Sequence, residues 1–210
     1  MSFDELGIDE NILRGVYAHG FEKPSQIQTL AIPKILEKKD LIAQAQSGTG
    51  KTGAFAIGSL CRIDPKKSET QLLVLVPTRE LADQVSLVIK DISSYTEITS
   101  LKVIGGTNVS MCREDLYKRP HIVIGTPGRV LDMIQRRYLF TENTENIVLD
   151  EADEMLSYGF KDSIHDIIQR MPKTSQICLF SATLPEDILE LTTKFMNEPE
   201  KVLVKKEQLT

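Results

Sequence analysis

Short runs of Val, Ile and Leu recur along the chain at residues 41–43, 72–76, 101–104, 122–124, 147–149, 177–180 and 202–204, with turn residues and helical patterns between them. The runs are continuous rather than alternating, so both faces of each strand are buried; this predicts a mainly parallel sheet covered by helices on both sides. Between the strands, Leu81, Val85, Val88 and Ile92 form one helical stripe, and Ile188, Leu191 and Phe195 form another. Such alternation predicts a doubly wound α/β domain that binds ligands at the carboxyl ends of its strands. No repeat or Gly/Ser-rich tract divides it. The expectation is one domain: a helical preface over 1–40, an α/β body over 41–200, and a polar stretch over 201–210 that begins a linker.

Composition narrows the chemistry. A chain of 210 residues suffices for one well-buried core. Its net charge of −5 excludes nucleic-acid binding by bulk positive charge, so any such contact is local and geometric. The acidic start, Met1-Ser2-Phe3-Asp4-Glu5, has no apolar run, and no apolar stretch approaches a membrane span. Cys61, Cys112 and Cys178 are far apart, and no Cys-x-x-Cys pair occurs. Reduced, mostly buried thiols in a cytosolic or nuclear protein are expected. His19, His121 and His165 lack metal-ligand spacing.

Candidate chemistry lies at two strand ends. After the first run come Ala45, Gln46, Ser47, Gly48, Thr49, Gly50, Lys51 and Thr52, which match a phosphate-binding loop with alanine at its first glycine position. Backbone N–H groups freed by the glycines converge on phosphate oxygens, and the following helix adds its positive end. Lys51 is expected at the β- and γ-phosphates, and the Thr52 hydroxyl at magnesium. About a hundred residues on, the run 147–149 delivers Asp150-Glu151-Ala152-Asp153. Asp150 is expected to hold magnesium through water, and Glu151 to orient or deprotonate the attacking water. A solvated acidic turn capping the next helix is the plain alternative. Asp153 is expected to orient its neighbours rather than touch the metal. The pair of motifs reads as binding of ATP with Mg2+, and its cleavage.

Further motifs stand in order: Gly20-Phe21-Glu22-Lys23-Pro24-Ser25-Gln26-Ile27-Gln28, then Pro77-Thr78-Arg79-Glu80-Leu81-Ala82, Gly105-Gly106, Thr126-Pro127-Gly128-Arg129 and Ser181-Ala182-Thr183. Together with the phosphate loop and the Asp-Glu-Ala-Asp tetrapeptide, they closely resemble the first RecA-like, P-loop domain of a DEAD-box RNA helicase, across essentially the whole chain. Within that family the chain looks most like the branch of translation initiation factor 4A, whose relatives in splicing and ribosome assembly share these stretches.

The resemblance implies roles with local structural rivals. Gln28 would read adenine, its amide matching the N6 donor and N7 acceptor, and Phe21 would stack on the base. Ser25 and Gln28 also form a capping box, and Phe21 suits a core anchor. Pro77, Thr78, Arg79, Gly105, Gly106, Thr126 and Arg129 would contact RNA phosphates without reading bases. Thr78 and Thr126 are equally good helix N-caps, with Pro127 at the first helical position. Ser181 and Thr183 would couple the ATP site to RNA, although Thr183 and Glu186 also fit a capping box.

The resemblance further implies a second RecA-like domain bearing more RNA contacts and arginines at the γ-phosphate, which nothing after Thr183 resembles. The expected function is the nucleotide-binding half of an ATP-dependent RNA helicase, clamping RNA without sequence preference and opening short duplexes. A helical-repeat scaffold protein is an implied partner, and a membrane is not. An ATP-gated RNA clamp that nucleates a complex stays open as an alternative. A small-molecule kinase leaves the Phe21–Gln28 and RNA-like motifs unexplained.

Overall fold

The computed structural model describes residues 1–205. A single 3-10 turn at Phe3–Glu5 precedes α1 (Glu10–His19) and α2 (Gln26–Leu36). Strands and helices then alternate: β1 (Leu41–Ala45), α3 (Lys51–Leu60), β2 (Leu72–Leu75), α4 (Arg79–Ile92), β3 (Ser100–Val103), α5 (Val109–Tyr117), β4 (Ile122–Gly125) and α6 (Pro127–Gln135). They continue as β5 (Asn146–Leu149), α7 (Ala152–Ser157), α8 (Lys161–Gln169), β6 (Gln176–Ser181), α9 (Glu186–Phe195) and β7 (Glu200–Val204). The strands form one sheet in the order β3-β4-β2-β5-β6-β1-β7, and every pairing is parallel.

The continuous apolar runs divide strictly by strand periodicity. Leu41, Ala43, Leu72, Val74, Ile122, Ile124, Val148, Cys178 and Phe180 face one core, shared with α1 to α4. Ile42, Leu73, Leu75, Val123, Ile147, Leu149, Ile177 and Leu179 face the other, shared with α5 to α9. A strand packed on both faces needs an apolar residue at every position, which is why these segments read as runs. The edge strands relax the rule: Lys102 on β3, and Lys201 and Leu203 on β7, are exposed.

Two details differ from the sequence expectation, the stripe of α4 and the end of the sheet. On α4 the buried stripe is Ala82, Val85, Ile89 and Ile92, while Leu81 and Val88 flank it half-buried. The preface is built into the domain: Phe3, Ile12, Val16, Ile27, Ile32 and Ile35 are all buried in the first core. The sheet also claims part of the expected linker, because β7 pairs with β1 from Glu200 to Val204. Only residues from 205 onward are left to that linker, and 206–210 lie outside the described residues. Among the described residues, no helix is long and apolar enough to cross a membrane.

Candidate functional site

The strand order sorts the motifs along the carboxyl edge of the sheet. Adjacent β5, β6 and β1 end in Asp150-Glu151, Ser181-Ala182-Thr183 and the phosphate loop. Adjacent β3, β4 and β2 end in Gly105-Gly106, Thr126-Pro127 and Pro77-Thr78-Arg79. Nucleotide chemistry and the RNA-like motifs thus share one edge, with β5 against β2 as the seam.

At the phosphate loop, Ala45 closes β1 and is buried, while Gln46, Ser47 and Gly48 are exposed. The Thr49 hydroxyl donates to the Gln46 carbonyl at 2.7 Å, tightening the loop. Gly50, the N-cap of α3, has φ +92°, a left-handed conformation that glycine adopts without penalty. Lys51 and Thr52 follow as the first helical residues, so the unpaired N–H groups of α3 and its positive end point into the loop. Thr52 is half-buried there.

Lys51 crosses to the tetrapeptide. Its ammonium lies 3.1 Å from Asp150 Oδ1 and is hydrogen-bonded to Glu151 Oε1. Ser47 Oγ also donates to Glu151 Oε1, at 3.1 Å. Burial pulls the Lys51 pKa down, but the charges of Asp150 and Glu151 outweigh it and hold the ammonium above its ordinary value. Asp150 is completely buried, and that burial, against the pull of Lys51, pushes its pKa up to about 6. The solvated-turn alternative therefore fails for Asp150. Glu151 sits at the N-cap of α7 with φ +52°, yet its side chain caps nothing. That left-handed backbone costs roughly 1–2 kcal/mol in a non-glycine residue and aims the carboxylate at the phosphate loop.

A divalent cation fits here on one observation. Neither buried oxygen of Asp150 receives a hydrogen bond of acceptable geometry, the Lys51 contact notwithstanding. A buried carboxylate short of donors is a good ligand for a hard cation, directly or through water. Among the described residues, no group of three or more His, Cys, Asp or Glu could hold a metal. Magnesium keeps most of its waters and uses one or two protein ligands plus phosphate oxygens.

Asp153 orients its neighbours, as expected. Its Oδ2 accepts from the Thr183 backbone N–H at 3.1 Å and from the Thr183 hydroxyl at 2.8 Å. Its own N–H donates to Ser181 Oγ at 3.1 Å, and that hydroxyl donates to the Thr183 carbonyl at 2.6 Å. The end of β6 is thereby locked to the start of α7. The capping box read for Thr183 and Glu186 is not formed: Pro185 is the N-cap of α9, and both Thr183 donors are spent on Asp153. Gln44, which sequence reasoning missed, donates to the Ala182 carbonyl at 3.3 Å and ties the same turn to β1.

At Gln28 the local alternative is realised. Its Oε1 accepts from the Ser25 N–H at 2.9 Å, the Ser25 hydroxyl accepts from the Gln28 N–H at 3.4 Å, and the capping box is complete. Its Nε2 donates to the Gly50 carbonyl at 3.1 Å, joining α2 to the phosphate loop. One amide hydrogen and one lone pair remain for a ligand. Phe21, half-buried, packs edge-on to His19 with centroids 4.7 Å apart. A Cβ on Gly53 would stand 3.1 Å from the Phe21 ring and 2.6 Å from Gln28 Nε2. The absence of a side chain at 53 thus lets both groups close on α3.

On the other half of the edge, Pro77 is buried and Thr78 Oγ1 accepts from the Leu81 N–H at 3.2 Å, a true N-cap. Thr126 occupies the N-cap of α6 with Pro127 after it, but makes no side-chain capping bond. Arg79 lies across Gly106: a Cβ there would be 3.8 Å from Arg79 Nη1. Arg129 Nη1 donates to the Thr107 carbonyl at 3.1 Å and to its hydroxyl at 3.0 Å. Among the described residues, neither Arg79 nor Arg129 forms an ion pair with a carboxylate. The nearby Asp83 is taken by Lys102 at 2.7 Å. Away from the edge, His121 is buried in hydrogen bonds to Thr99, and the three cysteines are free thiols.

Comparison with known proteins matches residues 25–191 to the DEAD/DEAH box helicase family model. The ATP-dependent RNA helicase eIF4A of Aspergillus fumigatus is 53% identical over 209 residues, 100% of this chain and 52% of that protein. Its Candida albicans namesake is 53% identical over 99% of this chain and 52% of its own length. The chain thus spans about half the length of these relatives. Among solved structures, a DEAD box protein from the hyperthermophile Methanococcus jannaschii superimposes with TM-score 0.92 at 38% identity, over 98% of this chain and 56% of that one. Saccharomyces cerevisiae Dbp5 L327V bound to RNA and ADP BeF3 gives TM-score 0.89 at 36% identity, over 97% of this chain and 52% of that one. With the family model covering most of its length and the phosphate loop, tetrapeptide and Ser-Ala-Thr turn assembled on a parallel sheet, this chain belongs to the DEAD/DEAH box helicase family.

Proposed function

We propose that this chain is the nucleotide-binding half of an ATP-dependent RNA helicase, hydrolysing ATP as it clamps RNA without sequence preference and opens short duplexes. The reading is carried by one juxtaposition. Lys51, Asp150 and Glu151 meet on one half of the sheet edge, and Arg79 and Arg129, which among the described residues pair with no carboxylate, stand on the adjoining half.

Lys51 and the N-terminus of α3 would receive the phosphates, with the backbone of Gln46 to Gly50 wrapped around them. Thr52 and Asp150 would hold magnesium, which when bound neutralises charge on the phosphate oxygens. Glu151 would orient the attacking water and accept its proton. Phe21 and the free sites of the Gln28 amide would recognise adenine. Pro77, Thr78, Arg79, Gly105, Gly106, Thr126 and Arg129 would seat RNA phosphates. Asp153, Ser181 and Thr183 would carry movement between the two halves of the edge.

A second RecA-like domain would complete both sites, which agrees with the length of the relatives. The names of those relatives support a role in translation initiation; a helical-repeat scaffold partner and a cytoplasmic or nuclear location belong to the same proposal. Calorimetry with ADP and GDP in magnesium tests the nucleotide reading. Preference for ADP is expected; equal affinities would contradict it.

A further inference from the structure

We propose that Thr107 is a positioning residue for RNA, holding the Arg129 guanidinium in place before the strand arrives; this rests on the RNA-face reading above. Thr107 lies in the loop between β3 and α5, and Arg129 in the first turn of α6. The Thr107 hydroxyl donates to the Ile104 carbonyl at 2.8 Å, which commits its hydrogen and turns its lone pairs toward Arg129. Arg129 Nη1 then donates twice to the same residue, to the hydroxyl at 3.0 Å and to the carbonyl at 3.1 Å.

The grip takes one nitrogen of the fork. Among the described residues, the hydrogen-bond acceptors of Arg129 are both on Thr107, which leaves Nε and Nη2 for a phosphate. The loop itself is fixed on its far side, because Asn108 Oδ1 accepts from the Ser110 N–H at 2.8 Å and caps α5. Arg79 reaches the same loop across Gly106, so both arginines rest on residues 106–107. Burial raises the thiol pKa of Cys112 above its ordinary value and outweighs the downward pull of the neighbouring Arg129 guanidinium, so the thiol supplies no competing negative charge. An arginine restrained in advance loses less rotamer freedom on binding than one that must be ordered by its ligand.

The test is fluorescence anisotropy of a labelled single-stranded oligouridylate, titrated with the chain over a series of salt concentrations. Thr107→Val keeps the shape and removes the hydroxyl; about fivefold weaker binding is expected, the scale of one hydrogen bond. Thr107→Ser should restore wild-type affinity, which a purely steric role for the methyl group would not allow. Arg129→Ala should weaken binding further and reduce the salt slope by about one. Thr107→Val placed in the Arg129→Ala background should then cost nothing more. Thr107→Ala serves if valine disturbs the loop.

Wild-type binding by Thr107→Val and Thr107→Ala, or an undiminished loss in the Arg129→Ala background, would overturn the positioning role alone. Wild-type binding by Arg129→Ala would overturn the RNA reading of Arg129 and this inference with it.

Discussion

Lys51 and Asp150 are ninety-nine positions apart by their numbering and follow strands separated by β6, yet their charged groups stand 3.1 Å from each other inside the protein. Lys51, proposed to bind phosphate, is thus neutralised by the residues proposed to serve magnesium and water. On that reading, phosphate oxygens would take the place of the carboxylates around Lys51, and Asp150 would exchange Lys51 for the cation. The buried pair would then be a placeholder for the ligand.

Lys51→Ala should therefore injure the empty protein as well as its binding. It leaves Asp150 buried without a countercharge, a loss of about 3–5 kcal/mol when one partner of a buried pair is removed. A thermal melt without nucleotide should show the loss, and adding Asp150→Asn should recover much of it because the remaining group is neutral. A melt unchanged by Lys51→Ala would show that the contact has no structural weight.

Glu151→Gln separates binding from chemistry. The amide keeps the size and one oxygen for Lys51 and Ser47, so nucleotide affinity should change little. It cannot accept a proton, so turnover in a protein carrying both RecA-like halves should fall by about 10²–10⁴-fold. Normal turnover with collapsed binding would reverse the assignment.

Gln28→Glu isolates the base-reading role from the capping role. A glutamate at this position still accepts from the Ser25 N–H, so the start of α2 should survive. It has no N–H for the Gly50 carbonyl or for adenine N7, so the preference for ADP over GDP should shrink. Calorimetry with both nucleotides, beside a melting curve, reads the two effects separately. An intact preference would leave Gln28 as a cap alone.

Asp153→Ala should uncouple the two halves of the edge. It removes the acceptor of both Thr183 donors while leaving Lys51, Asp150 and Glu151 in place. Nucleotide affinity should hold, while stimulation of hydrolysis by RNA in the two-domain protein should drop. Full stimulation would mean that the Ser181–Thr183 turn carries no signal.

The sequence was most legible where burial is two-sided. Continuous runs such as 72–76 and 147–149 mark strands because each residue meets one of two cores. The phosphate loop was equally legible, since its glycines and Lys51 lie within eight consecutive positions. The contacts that tie distant segments together were not. The Lys51–Asp150 pair, the grip of Thr107 on Arg129 and the bond from Gln44 to Ala182 depend on strand order, which periodicity does not encode. The capping box that Thr183 and Glu186 also fit is not formed, because a local Thr-x-x-Glu spacing carries no record of Asp153 thirty positions away. For Gln28 the capping box was legible beside the adenine reading, but not the bond to Gly50, a contact twenty-two positions away that only folding brings together. At the end of the chain, the run 202–204 marks β7, while the polar positions that suggested a linker from 201 belong to the same edge strand, which needs apolar residues only on its inward face.

The most direct measurement is ATP hydrolysis with and without saturating single-stranded RNA, for residues 1–210 and for a chain that adds the second RecA-like half. On the proposed function the phosphate loop, Asp150 and Glu151 would supply one wall of the active site, and an arginine from a facing domain would contribute on the order of a thousand-fold or more in this chemistry. The expected result is very slow hydrolysis by 1–210, indifferent to RNA, and RNA-stimulated turnover by the longer chain. Equal, RNA-stimulated turnover by both would contradict the account, because residues 1–210 would then hold a complete active site.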